Sequence, residues 1–316
     1  MNSDDFGHIP VLYEEILSNL PISQTKTNII IDCTLGLGGH AIGIIQKICE
    51  KDIFIGFDAD AENLALAKSN IFKKVGSQIV DKKIKTYFIH SNFSNLKEEL
   101  EKINIKVVTG IYYDLGVNSI HFDDPDKGFS FRFDSNLDMR FDKINTLTTA
   151  SDIVNSYHEN ELIRIFREYS DEPKAKFIAD EILKTRKTKP IETTKELEAL
   201  IEKSSFDSKS KVRVFQALRM EVNKEMEVIE ESLRQAIDLL EKDGILQVIT
   251  FHSVEDRTVK QVLAEFLENK LDDKTGQILE PKKAEKVYKK PIVPTQEEIY
   301  KNKRSRSAKL RIIKKL

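Results

Sequence analysis

The chain has 316 residues, 40% of them apolar and 32% charged, with a formal net charge of −2. That mixture belongs to a folded globular protein with room for one large or two smaller domains, and the near-zero net charge confines any nucleic-acid surface to a local patch. No apolar run approaches the roughly 18 residues of a membrane span, residues 1–10 lack the basic and apolar regions of a signal peptide, and the two cysteines, Cys33 and Cys49, have neither CxxC nor metal-ligand spacing, so they read as small buried hydrophobes in a reducing, cytoplasmic compartment.

The first third alternates strands and helices. Strands are expected at Asn28–Cys33, Ile53–Phe57, Lys85–Ile89 and Val107–Leu115, where β-branched and aromatic residues run together. Helices are expected at Gly39–Cys49, Ala61–Phe72 and Leu96–Ile103. This order implies βαβ units and a parallel sheet, which binds ligands at the carboxyl ends of its strands. From Asn118 to Val214 no segment reads as a strand. Helices are expected at Glu159–Glu168, Pro173–Thr185 and Thr194–Lys203, with Asp152 and Thr193 as N-caps and Pro173 in a first turn. One long helix is then expected from about Lys211 to Glu241, because Phe215, Leu218, Val222, Met226, Ile229, Leu233, Ile237 and Leu240 recur every three or four residues. Gly244 ends it, and a fifth strand follows at Ile245–Phe251. Ser253, with Asp256 three residues on, reads as the cap of a further helix. The stretch from Lys301 to Leu316 is basic, and Ala308–Ile313 reads as an edge strand. The fold class is therefore α/β, with the parent domain at 1–117 and 215–316 and a mostly helical insertion at 118–214.

The strongest local signal is Asp32-Cys33-Thr34-Leu35-Gly36-Leu37-Gly38-Gly39-His40, which joins the first strand to the first helix. Glycines allow a tight turn and close approach of a ligand to free helix N–H groups. Asp58, at the end of the second strand, is placed to accept hydrogen bonds from both hydroxyls of an adenosyl ribose. Gly36-x-Gly38-x-x-Ala41 also satisfies the dinucleotide fingerprint. Asp32 and Asp114 end strands that face the same crevice, where two carboxylates repel a pyrophosphate and tolerate a sulfonium. S-adenosylmethionine is favoured on that ground.

Asn118 and Ser119, after the fourth strand, are candidate acceptors for an exocyclic amine, or ordinary turn residues. His252 is a candidate base or RNA contact, or part of a capping turn. Arg132 and Arg140 interleave with Phe129, Phe131, Phe133 and Phe141, as in a surface that stacks unpaired bases and binds phosphate; the alternative is an apolar lid with Asp134 and Asp138 paired to the arginines. Arg219 shares a helix face with Gln216 and Asn223, which by itself reads as a solvated face. Arg304 and Arg306 lie in the basic tail, the better candidate for salt-sensitive phosphate contacts. His8, His90 and His158 are isolated and read as structural or solvated. No grouping has the spacing of a metal site.

Taken together, these motifs resemble the MraW (RsmH) family, the bacterial 16S ribosomal RNA cytosine-N4 methyltransferases. The resemblance is carried by His8-Ile9-Pro10-Val11-Leu12, Thr34 to His40, Asp114-Leu115-Gly116-Val117, Gly128-Phe129-Ser130-Phe131, Leu137-Asp138-Met139-Arg140, Phe215-Gln216-Ala217-Leu218-Arg219, Phe251-His252-Ser253 with Glu255-Asp256-Arg257, and Arg306-Ser307-Ala308-Lys309-Leu310-Arg311. It implies a Rossmann-like class I S-adenosylmethionine methyltransferase sheet with an inserted helical substrate domain. It implies action on a cytidine in the decoding region of 16S ribosomal RNA within the small subunit, and no membrane partner. Cofactor contacts implied by the family fall on Gly38, Gly39, His40, Asp58, Phe93, Asp114 and His121. The last is usually Gln in the family; Ile120 stands where Pro or His is common, and Ser135-Asn136 replaces a typical Gly-Pro. The residues alone also allow a nicotinamide-dependent oxidoreductase, or a non-catalytic RNA-binding assembly factor with a relic pocket.

Overall fold

The computed structural model describes residues 10–117, 119–272 and 274–316. His8 and Ile9, and Asn118, lie outside the described residues. Two compact units form: one from the described residues up to Gly116 together with Val228–Leu316, the other from Val117–Glu227.

In chain order the first unit opens with α1 (Tyr13–Ser18), β1 (Ile29–Asp32), α2 (Gly39–Lys47), β2 (Ile53–Asp58), α3 (Ala61–Asp81), β3 (Lys85–His90), α4 (Leu96–Lys102) and β4 (Val108–Asp114). The second unit holds α5 (Ser119–Asp123), α6 (Ala150–Ser156), α7 (Glu159–Glu168), α8 (Ala175–Arg186), α9 (Thr194–Ser204) and α10 (Lys209–Val222). Then come α11 (Glu225–Leu239), β5 (Leu240–Thr250), α12 (Ser253–Leu267), the hairpin β6 (Lys270–Leu271) and β7 (Ile278–Glu280), β8 (Ala284–Lys286), α13 (Gln296–Lys301) and β9 (Lys309–Lys315).

The main sheet runs β3-β2-β1-β4-β5-β9-β8. Its first five strands are parallel, and β9 is antiparallel to both β5 and β8. The three isoleucines of β1 and the apolar run of β4 are the near-continuous hydrophobic sequence that a strand covered on both faces requires. Ile30, Ile44, Ile45, Phe54, Ala67 and Ile71 meet in the core beneath the sheet. The chain leaves β1 toward β3 and returns to the other side of β1 as β4, so the strand order reverses between β1 and β4. In an open α/β sheet, that reversal opens a crevice at the strand ends.

Several local expectations are corrected. α3 continues to Asp81, because Ala67, Ile71, Val75 and Ile79 keep a four-residue buried spacing. The expected long helix is two, α10 and α11, separated at Asn223–Lys224. The Asn223 side chain bonds Met139 O and Phe141 N, and Lys224 adopts a left-handed φ of 48°. Val222 and Met226 are nonetheless both buried, so the apolar spacing gives no sign of the break. α10 belongs to the second unit, packing on α6, α7 and α9, and the division falls at Glu227/Val228 rather than at 214/215. Thr149, not Asp152, caps α6; Asp152 supplies the returning bond of the capping box. Pro173 stands in the turn before α8. Thr193 caps α9 as expected. The last strand is not an edge, since β8 covers its outer side. Ser135 and Asn136 bridge to Thr193–Thr194 by one isolated β-bridge and a Thr194 N–H to Ser135 O bond of 2.9 Å.

Candidate functional site

Three carboxylates stand at the C-terminal ends of neighbouring parallel strands. Asp32 ends β1 opposite Gly56 of β2 and Tyr112 of β4. Two residues beyond those partners, Asp58 ends β2 and Asp114 ends β4. The loop after β1 threads among them. Gly36 and Gly38 take φ of 55° and 85°, a region that disfavours side chains, and a Cβ on Gly38 would lie 2.9 Å from Ile71. A Cβ on Gly39 would meet Pro10 at 2.7 Å. The turn therefore delivers the chain tightly into α2, whose first N–H groups have no partner within the helix.

Backbone donors fix each acid. Asp58 accepts from Gly36 N and Asp60 N, both at 2.9 Å, one on each oxygen. Asp32 accepts from Thr34 N at 3.0 Å. Thr34 Oγ1 accepts from Asp114 N at 2.6 Å, tying the loop after β1 to the end of β4. Burial pushes Asp32 up to about 7 against its bonds to Thr34, and pushes Asp58 up to about 7 against its two backbone donors, with Asp60 and Asp32 adding repulsion. Asp114 is pushed up to about 8, first by burial, then by Asp32 and Glu255, and is only partly relieved by the Tyr112 hydroxyl. Asp114 Oδ1 is buried and accepts no hydrogen bond. Clustered acids in this state favour a cationic ligand, which offsets both their desolvation and their mutual repulsion. That orphaned oxygen and this charge pattern fit a sulfonium cofactor with a zwitterionic amino-acid end, and they disfavour a pyrophosphate.

His40 braces the site from behind. Its Nε2 lies 2.9 Å from Val11 O, a pure acceptor, so Nε2 carries the proton. Nδ1 lies 3.0 Å from the Tyr112 hydroxyl oxygen and 3.8 Å from Asp114 Oδ2. The ring packs against Tyr112 at 4.9 Å and is 6% exposed. His40 thus positions Tyr112 and Asp114 with its side chain.

The other wall comes from α12. His252, rather than Ser253, is the N-cap: its Nδ1 accepts from Glu255 N at 3.3 Å, and Nε2 lies 2.8 Å from Glu255 Oε1. Nδ1 is the ring nitrogen that serves the cap. Glu255 is fully buried and accepts from Phe251 N at 2.7 Å. Gly116, with φ of 103°, brings the chain after β4 past this turn; a Cβ there would sit 3.8 Å from Glu255 Oε1. Phe93, half-buried after β3, meets Tyr113 of β4 edge-on at 5.5 Å.

The structure thus brings together Gly38, Gly39, His40, Asp58 and Asp114 in the first unit, while the Phe93 ring packs on Tyr113. Ser119 opens α5 in the second unit. His121, also there, is 5% exposed and packs 5.1 Å from both Phe129 and Phe141, which stack on each other. Arg132 is half-exposed and pairs with Asp123 rather than Asp134. Arg140 chelates Asp138, whose carboxyl burial would raise but whose bonds to Arg140 hold below the usual range. Arg219 is buried in a two-bond pair with Glu225 at 2.6 and 2.8 Å, and Gln216 and Asn223 bond Tyr169 O and Met139 O. That helix face is packed and not solvated. In the basic tail, Lys309 and Arg311 are spent on Asp256, and Lys314 on Glu285 and Asp243. Arg304 and Arg306 stay exposed.

Two site residues were not singled out from sequence. Thr34 lies inside the glycine motif, where its hydroxyl looks incidental. Glu255 stands three residues after His252, and a capping-box reading centred on His252 rather than Ser253 would have found it. Among the described residues no group of His, Cys, Asp and Glu is arranged to hold a metal, and no helix is long and apolar enough to cross a membrane. Cys33 is buried and Cys49 half-buried, both unpaired.

A family model described as the MraW methylase family matches residues 5–316. A protein named "Ribosomal RNA small subunit methyltransferase H" from Caldicellulosiruptor saccharolyticus is 44% identical, covering 98% of this chain and 100% of its own length. Proteins of the same name from Clostridioides difficile and Fusobacterium nucleatum are each 39% identical, covering 99% and 98% of this chain and 100% and 97% of their own lengths. With the family model spanning nearly every residue and relatives aligned end to end, the chain belongs to the MraW methylase family.

Proposed function

We propose that this protein is an S-adenosylmethionine-dependent methyltransferase that modifies the N4 amino group of a cytidine in the decoding region of 16S ribosomal RNA. The observation that carries the reading is the trio of desolvated acids at the ends of β1, β2 and β4, with Asp114 Oδ1 buried and unbonded. Relatives that align over their full length are named for methylation of small-subunit ribosomal RNA. When bound, the cofactor supplies a methyl group already activated by its cationic sulfur.

Asp58 holds the ribose hydroxyls, using lone pairs left over from its two backbone bonds. The turn from Gly38 to His40 lines the methionine end, and Phe93 packs near the adenine. Asp114, with Asn118 and Ser119 after it in the chain, accepts hydrogen bonds from the exocyclic amine. Those bonds localise a nitrogen lone pair that is otherwise delocalised into the pyrimidine and aim it along the line of attack, so positioning supplies most of the rate. With the methyl donor bound, an acceptor in this segment would take the proton that the amine gives up on methylation. The target base must leave its stack to reach such a site.

The test is a labelled-methyl assay on small ribosomal subunits from cells lacking this protein, followed by nucleoside mass spectrometry. Label in N4-methylcytidine supports the reading. Label in another nucleoside, or none, overturns it. Calorimetry with S-adenosylmethionine and with NAD separates it from a nicotinamide enzyme.

A further inference from the structure

A second concave feature lies in the first unit, away from the carboxylates. It is a cleft of ≈ 230 Å³ formed by α12, β8, β9 and the loop that follows β8. Lys260, Leu263, Ala264 and Leu267 line it from α12, at the spacing of a single helix face. Lys286, Tyr288, Lys289, Lys290 and Arg311 line it from the other side, and Glu268 is its one acid. Arg311 is committed to Asp256 at 2.7 Å. The four lysines are exposed, and among the described residues none of them forms an ion pair. A chain with a net charge of −2 thus concentrates uncompensated positive charge around one apolar-floored groove.

The loop that carries this charge is held in place. Val287 N bonds Ile312 O at 3.0 Å before it, and Ile292 and Leu310 exchange two backbone bonds of 2.9 Å after it. Tyr288 is 45% exposed, and its hydroxyl donates to Asn19 Oδ1 at 3.1 Å, which fixes the ring while leaving it partly open. A tethered aromatic ring beside clustered lysines is the arrangement that takes a single-stranded nucleic acid, with the base on the ring and the phosphates on the cations.

We propose that this cleft anchors a single-stranded segment of the RNA substrate, with a base against Tyr288 and phosphates on Lys260, Lys286, Lys289 and Lys290. From the preceding reading it takes only that the substrate is RNA. Leu263 lies ten residues along α12 from the turn beside Asp114, about 15 Å at 1.5 Å per residue. An RNA strand held in the cleft is thereby kept near the strand ends without entering them.

The test is fluorescence anisotropy of the full chain with a labelled single-stranded oligouridylate over a range of salt. The triple variant Lys286→Ala, Lys289→Ala, Lys290→Ala is expected to bind roughly tenfold more weakly, with the slope of log affinity against log salt reduced by about two, since each lost phosphate contact on a single strand removes about 0.7. Tyr288→Leu is expected to weaken binding about fivefold or more, and Tyr288→Phe to retain it, because stacking needs the ring and not the hydroxyl. Affinity for S-adenosylmethionine by calorimetry should match the parent in every variant, which confirms folding. On small subunits the triple variant should raise KM for the subunit and leave kcat unchanged. Parental RNA affinity and salt slope in the triple variant would overturn the proposal, as would a polyglutamate peptide binding through these lysines while RNA binding is unaffected. Loss of RNA binding in the variants, with no methyl transfer by the parent protein, would sustain the cleft and reject the methyltransferase reading.

Discussion

Thr34 holds Asp114 in place. Its Oγ1 accepts the Asp114 backbone N–H at 2.6 Å, while its own hydroxyl proton serves the buried carboxylate of Asp32. One side chain thereby links the ends of β1 and β4 at the point where the strand order reverses. Thr34→Val keeps the shape and removes both bonds, leaving a part-buried N–H unpaired, a loss of about 1–3 kcal/mol. The variant should melt lower and bind S-adenosylmethionine about tenfold more weakly, while Thr34→Ser should retain both properties. Parental affinity in the valine variant, read by calorimetry, would remove Thr34 from the site.

The raised acids predict a pH dependence with a definite sign. An aspartate titrates near 3.9 in an unfolded chain, whereas Asp32 and Asp58 titrate at about 7 and Asp114 at about 8 in the folded protein. Folding therefore favours their protonated forms. The stability this contributes is fully present below about pH 4 and is lost as pH rises through 7 to 8. A cationic cofactor binds the ionised forms, so its affinity should rise between pH 6 and pH 8, by up to tenfold per pH unit for each proton released. Titration calorimetry in two buffers of different ionisation enthalpy measures that release directly. An affinity flat over this range, with no proton release, would show that the acids are already ionised in the empty protein.

Asp58 is the test of cofactor binding. Both its oxygens accept from backbone donors, Gly36 N and Asp60 N, so Asp58→Asn keeps the volume but turns one acceptor into a donor facing a backbone N–H, and should lower the melting temperature as well as cofactor affinity. Hydrogen bonds to a charged group contribute about 1.5–3 kcal/mol, so cofactor affinity should fall by roughly ten- to a hundredfold. Unchanged affinity by calorimetry would refute the ribose-holding role.

The parts of this site that could be read from sequence are those in which one short segment carries the whole physical constraint. Asp32, Gly36, Gly38 and Asp58 are legible because a strand end, a positive-φ turn and a second strand end follow one another at fixed spacing. Partners drawn from distant segments are not legible. Nothing local says that Glu255 approaches Asp114, that the His40 ring is consumed by Val11 and Tyr112, or that Asp256 collects Lys309 and Arg311 into the sheet. The basic tail misled for the same reason: composition shows charge, while its neutralisation depends on which strand lies alongside. The break between α10 and α11 was hidden because burial carries on across it, although the helix does not.

Arg219 is a hidden pairing of this kind with a measurable consequence. On a helix face it resembles a solvated cation available to phosphate, yet it is 7% exposed and gives two bonds to Glu225, itself 9% exposed. Removing one member of a buried pair strands the other charge, at a cost of about 3–5 kcal/mol, whereas replacing both with apolar residues of similar volume is often nearly neutral. Arg219→Met should therefore lower the unfolding midpoint strongly, and adding Glu225→Met should recover most of the loss. RNA affinity should follow stability in both proteins: reduced in the single variant, restored in the double. If Arg219 instead touched RNA, the double variant would fold well and still bind poorly. Thermal melts alongside oligouridylate anisotropy on the two variants distinguish these outcomes, because only a direct phosphate contact leaves RNA binding depressed after stability has returned.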